Sequence, residues 1–188
     1  MSGPLRDRMD ELVDEPDSLK RRLLALGILT RALEPESIEP ILVGGAAVEF
    51  YTQGGYSTKD VDLALPTIPV VDNAFADLGF LKEGRFWYRD DLDLLFEAPA
   101  PAGLPGETAP RTVIEVEGFR VVIIGVEDLI LDRVRSAVRW QSPEDGRWAR
   151  RLAALYSDRI DRTYLISKAE AEGERRELES ILENLDRE

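Results

Sequence analysis

Ile41-Leu-Val-Gly-Gly-Ala-Ala-Val-Glu-Phe50, followed by Tyr51-Thr-Gln-Gly-Gly-Tyr-Ser-Thr-Lys-Asp-Val-Asp-Leu-Ala-Leu65, decides the reading of this chain. An apolar run ends in Gly44-Gly45, a short helical pattern follows, and a turn leads into a second apolar run that carries Asp60 and Asp62. Alternate residues of a strand share a face, so both carboxylates point the same way. Two like charges facing one cleft repel unless a cation lies between them. The pattern therefore predicts a Mg²⁺ site beside a phosphate-binding turn.

Each part also has a plainer reading. Two glycines after a strand are often only a tight turn, and Asp60 and Asp62 fit the wet face of an edge strand. Aspartate is disfavoured in strands, however, and paired like charges on one face cost stability. An unfavourable choice made twice points to function. Bare backbone at Gly44 and Gly45 would let a phosphate reach the free N–H groups at the start of the next helix.

The constellation Val43, Gly44, Gly45, Asp60, Val61, Asp62 resembles the signature of the nucleotidyltransferase superfamily of the DNA polymerase β type. Gly55-Tyr-Ser-Thr-Lys-Asp-Val-Asp-Leu63 is similar to the small stand-alone prokaryotic members, including the toxin-type ones. The resemblance implies an α/β (α+β) fold: a small mixed β-sheet flanked by N-terminal helices, with a C-terminal helical segment. It further implies two Mg²⁺ ions, a nucleoside triphosphate as substrate, and transfer of a nucleoside monophosphate to an acceptor hydroxyl on tRNA, a protein or a small molecule. Asp60 and Asp62 would bind metal and bridge it to the phosphates.

A third acid is expected on a neighbouring strand. In Asp91-Leu-Asp-Leu-Leu-Phe-Glu97, read as a strand from Leu92, one face carries Leu92, Leu94 and Phe96 and the other Asp91, Asp93, Leu95 and Glu97. Asp93 matches the family's apolar-acid-apolar setting and is the expected third catalytic and metal-binding residue. Glu97 is the second choice, and an exposed acidic face is the plain alternative.

The chain departs from the family in two places. Ala46 and Ala47 stand where many active members carry a serine, and Tyr56 and Ser57 stand where toxin-type relatives often carry an arginine. Ser57, Thr58 and Lys59 are the candidate substitute phosphate donors. In similar sequences a cation on the first helix after the sheet reaches the triphosphate, and Arg133 is the candidate here. The plain reading of Arg133, Arg135, Arg139, Arg147, Arg150 and Arg151 is a solvated helical surface. Trp140 and Trp148 read as helix-packing residues.

Composition narrows the chemistry. The 188 residues contain neither cysteine nor histidine, which excludes thiol and imidazole catalysis. A net charge of −13 argues against extended nucleic-acid binding. The N-terminal residues show no signal-peptide pattern, and no apolar run is long enough to cross a bilayer, so a cytoplasmic location without membrane attachment is expected. The length suits one domain with a helical appendage, divided as 1–125 and 126–188.

Periodicity predicts helices over 5–14, 17–33, 46–53 and 70–78. It predicts strands over 41–43, 61–65 and 92–97, hairpins over 81–88 and 113–124, and a mobile loop over 98–110. Helices follow from 126, with Ser142 as a cap and Pro143 in a first turn. The rival to an enzyme is an inactive domain of the same fold that binds nucleotide or a protein partner, possibly within a toxin–antitoxin pair.

Overall fold

The structure, a computed structural model, describes residues 3–100 and 108–185. It is α/β and divides into two compact units. The first holds the described residues up to 100 together with Thr112–Ile123; the second holds residues 108–111 and 124–185.

Helices α1 (Gly3–Asp10) and α2 (Ser18–Leu33) open the first unit, with a 3-10 turn at Glu11–Asp14 between them. Asp17 caps α2 by accepting from the Lys20 backbone N–H at 3.0 Å. The apolar residues of α2 are buried almost continuously from Leu23 to Leu29. Strand β1 (Ile41–Leu42) leads into α3 (Gly44–Tyr51), which begins at the paired glycines. Strand β2 (Asp60–Ala64), helix α4 (Pro69–Asp77) and strands β3 (Leu81–Glu83), β4 (Phe86–Arg89) and β5 (Leu94–Ala100) follow. The unit closes with β6 (Thr112–Val116) and β7 (Phe119–Ile123).

These strands form one mixed sheet in the order β3-β4-β5-β2-β1-β7-β6. Both predicted hairpins are present, and Glu117 and Gly118 at the β6–β7 turn are both left-handed (φ 50° and 80°). That backbone twist is the one that closes a two-residue hairpin without splaying its strands. Strand β2 lies antiparallel to β1 and parallel to β5. Val61, Leu63, Phe96 and Trp87 alternate onto the buried face. There Phe75 of α4 stacks on Trp87 with ring centres 4.5 Å apart, and the indole N–H donates to Asp72 at 3.0 Å.

Among the boundaries that differ from expectation, two flank the acidic strand β5. The predicted strand from Leu92 starts at Leu94, because Asp90–Leu92 forms a 3-10 turn that ends at Asp93 in the left-handed region (φ 49°). Strand β5 continues to Ala100, into the start of the loop predicted from Ala98. The rest of that predicted loop up to residue 107 lies outside the described residues.

The second unit contains α5 (Val126–Trp140), α6 (Pro143–Leu155), α7 (Arg162–Lys168) and α8 (Glu172–Leu185). Ser142 caps α6 as expected, accepting from the Asp145 N–H at 3.3 Å. Glu174 is fully buried and draws in Arg139 at 3.3 Å and Arg135 at 3.6 Å. The first turn of α5 is pinned by Asp128, which accepts from Tyr164 Oη at 2.6 Å and from the Ala109 N–H at 2.8 Å. The expectation for Trp140 fails: it is 80% exposed at the last residue of α5, beyond the buried stripe. No described helix is long and apolar enough to cross a membrane.

Candidate active site

Backbone pairing places the acids beside the glycines. The β1–β2 ladder aligns Leu42 with Leu63, and the Val43 N–H extends it by donating to the Asp62 carbonyl at 2.9 Å. Gly44, the next residue, is left-handed (φ 60°) and lies directly against the Asp62 side chain. A Cβ at position 44 would stand 2.1 Å from Asp62 Oδ2, so only glycine fits there. The Gly45 N–H points at the same carboxylate oxygen, 3.4 Å away. The sequence-predicted juxtaposition of glycine pair and double acid is thus present in the fold.

Asp60 and Asp62 are half-buried on one face of β2, while Val61 between them is in the core. The register continues that face sideways: Asp62 stands opposite Glu97 of β5, and Asp60 opposite Leu95. On β4, Phe86 is opposite Glu97 and Tyr88 opposite Leu95. One partly open face of the sheet therefore carries Asp60, Asp62, Glu97, Phe86 and Tyr88. Glu97 forms an ion pair with Arg85 at 2.9 Å.

Asp93 does not lie on that strand face. It is exposed at the end of the 3-10 turn before β5, although it lines the same cavity as Asp60. That cavity, about 490 Å³, is bounded further by Lys59, Glu83, Phe86 and Tyr88. A larger open groove of about 710 Å³ lies against Leu5, Arg31 and Phe119 and shares no residue with it.

No group of three carboxylates among the described residues is gathered closely enough to hold a metal. The donor set still suits Mg²⁺, which commonly takes one or two carboxylates and completes its shell with water and substrate phosphates. Asp60 and Asp62 are the residues that could supply those carboxylates. The glycine cradle, whose shape excludes any side chain at position 44, is where phosphate oxygens would approach.

Of the three expected substitute donors, Thr58 is closest to the glycines. A Cβ at position 45 would meet the Tyr56 ring at 3.0 Å and Thr58 Oγ1 at 3.4 Å. Ser57 and Lys59 are exposed. Arg133, in the second unit, is engaged with Asp132 and with Asp145, the latter at 2.8 Å.

Sequence reasoning missed one pair beneath this site. Arg22 of α2 and Glu49 of α3 form a buried ion pair at 2.6 Å, with side chains 8% and 7% exposed. Arg22 also donates to the Thr58 carbonyl, and the Thr58 N–H donates to Glu49 at 3.4 Å. The available signal was a charged residue inside each of two apolar helical runs, Arg22 before Leu23-Leu24 and Glu49 after Ala46-Ala47-Val48.

No protein-family model matches the chain. No curated protein matches its sequence significantly. Among solved structures, it is similar to an antigenic nucleotidyltransferase-like protein from Paracoccidioides brasiliensis. That match has a TM-score of 0.59 at 19% identity, over 92% of this chain and 88% of that one. A solution structure of the antibiotic-resistance factor ANT(2'')-Ia aligns with a TM-score of 0.47 at 15% identity, over 85% of this chain and 88% of that one. The crystal structure of ANT(2'')-Ia in complex with adenylyl-2''-tobramycin gives the same TM-score and identity over 85% of this chain and 93% of that one. The architecture of this chain is the nucleotidyltransferase fold.

Proposed function

We propose that this chain is a Mg²⁺-dependent nucleotidyltransferase that moves a nucleoside monophosphate from a nucleoside triphosphate to an acceptor hydroxyl. One observation carries the reading: Asp62 packed against a left-handed Gly44 at the start of α3, with Asp60 on the same strand face. The N–H groups at the α3 N-terminus face the triphosphate, and bare glycine backbone lets it come close. The Thr58 hydroxyl beside Gly45 stands in for the serine missing at Ala46. Bound Mg²⁺ would neutralise phosphate charge and polarise the reacting oxygens. Asp60 and Asp62 would hold the ion beside the glycine cradle. The acceptor oxygen bonds to that phosphorus in line, the bond to the bridging oxygen breaks, and pyrophosphate leaves with its electron pair. A carboxylate of this face takes the hydroxyl proton, and the cavity between Asp60 and Tyr88 receives the acceptor.

A second reading, an inactive domain that binds nucleotide or a protein partner, is favoured by two features. Ala46 and Ala47 replace the usual serine and are buried, and among the described residues no group of three carboxylates is placed to hold a metal.

Calorimetry separates the two. The first reading expects ATP or another nucleoside triphosphate to bind only with Mg²⁺ and Asp60→Asn/Asp62→Asn to abolish binding. Unchanged binding in that double variant rejects the first reading. Label transfer from each nucleotide into a cell extract would then identify the acceptor.

A further inference from the structure

The Arg22–Glu49 pair calls for an explanation that stability does not supply. Desolvating two charges costs several kcal/mol, and buried pairs of this kind are often no better than apolar residues of the same volume. The arrangement is also incomplete, because Arg22 Nε is buried without a hydrogen-bond partner among the described residues. What the pair provides is connection. Arg22 belongs to α2, and Glu49 belongs to α3, the helix that begins at Gly44. Both reach the backbone of Thr58, Arg22 at its carbonyl and Glu49 at its N–H. Thr58 in turn accepts from the Asp60 N–H at 3.4 Å and presses its side chain against Gly45.

We propose that Arg22 and Glu49 are positioning residues that fix the approach to β2, and with it Asp60 and Asp62, against the glycine cradle of α3. The arginine fork is suited to this task because it grips a carboxylate and a carbonyl at once in a fixed plane. Glu49 locks the rotation of α3 about its own axis, which aims the N–H groups of its first turn. The pair touches no expected substrate and acts through Thr58. The connection to nucleotide rests on the function proposed above; the connection to backbone order does not.

The test is the paired apolar replacement Arg22→Met/Glu49→Leu, which removes both charges and leaves neither orphaned. It should melt within about 4 °C of the wild type. Hydrogen exchange at the Thr58 and Asp60 amides should rise about tenfold, while the amides inside α2 stay protected. Mg²⁺–ATP affinity should fall about tenfold through lost preorganisation. A folded double variant with wild-type exchange at Thr58 and Asp60 overturns the proposal. So does one that binds Mg²⁺–ATP as well as a binding-competent wild type. If the wild type binds no nucleotide, the nucleotide reading falls and the exchange result alone decides the role of the pair. Should the double variant fail to fold, Arg22→Lys takes its place under the same criteria, since one ammonium does not reproduce the planar fork.

Discussion

Helix α2 sends two cations, two residues apart, into opposite environments. Lys20 reaches Glu15 at 2.8 Å and Glu117 at 2.7 Å, in water, with the Lys20 and Glu117 side chains 42% and 43% exposed. Arg22 reaches Glu49 at 2.6 Å in the core. The lengths are nearly equal and the consequences are not. Around Lys20 solvent screens the charges and replaces any partner that leaves. Around Arg22 nothing replaces a lost partner, so the pair is far more costly to break than it was favourable to form. Ion-pair distance alone therefore says little about an ion pair's role; what surrounds it decides.

The contrast is sharpest when one partner is deleted. Glu49→Ala leaves Arg22 buried and uncompensated, and urea denaturation should show a loss of about 3–5 kcal/mol. A loss as small as that of an exposed pair would erase the distinction.

An intermediate case is the network Arg6–Asp10–Arg89–Asp91, in which a buried Arg89 meets half-exposed acids. At Asp91 the hydrogen bonds from Arg89 hold the carboxyl below its ordinary value. At Asp10 partial burial pushes the other way, but hydrogen bonds from Arg89 and Arg6 outweigh it. Both groups thus titrate lower in the folded chain than in the unfolded one, so the unfolded state takes up protons first. Their contribution is complete above the ordinary aspartate value of 3.8 and is lost as pH falls through the lower folded values. Thermal melts of Asp91→Asn should show a shallower decline below pH 4 than wild type; parallel declines would exclude this network as a source of acid sensitivity.

The smallest effect belongs to Lys20. Its hydrogen bond to Glu117 raises its pKa, yet Lys20→Met should leave the melting temperature within experimental scatter. Any residual difference should vanish in 1 M salt, where the screening length is about 3 Å. A clear, salt-resistant loss would move this pair into the same class as Arg22–Glu49.

Much of the site was legible because it is local. Gly44-Gly45, the helix after them and the alternation Asp60-Val61-Asp62 lie within 25 residues of one another. The placement of the acids around β5 was less legible because it depends on registry between distant strands. Sequence favoured Asp93 by its apolar neighbours, whereas backbone pairing sets Glu97 opposite Asp62 and leaves Asp93 in a turn. The turn at Asp90–Leu92 arises where Arg89 is bound by Asp10 from α1 and by Asp91, a convergence no local window contains. Arg22 and Glu49 escaped for a similar reason. Each reads singly as a blemish in an apolar helix, and only the packing of α2 near α3 makes them partners.

The alternation of β2 has a further consequence. Val61 and Leu63 are sealed in the interior by the same pleat that turns Asp60 and Asp62 outward, so neither arrangement can change without the other. Adding or removing one residue inside this strand would drive two negative charges into hydrocarbon and strip the sheet of its filling. Selection for a folded chain thereby protects the orientation of both acids at no extra cost, and drift in this segment is confined to substitutions that respect a two-residue rhythm.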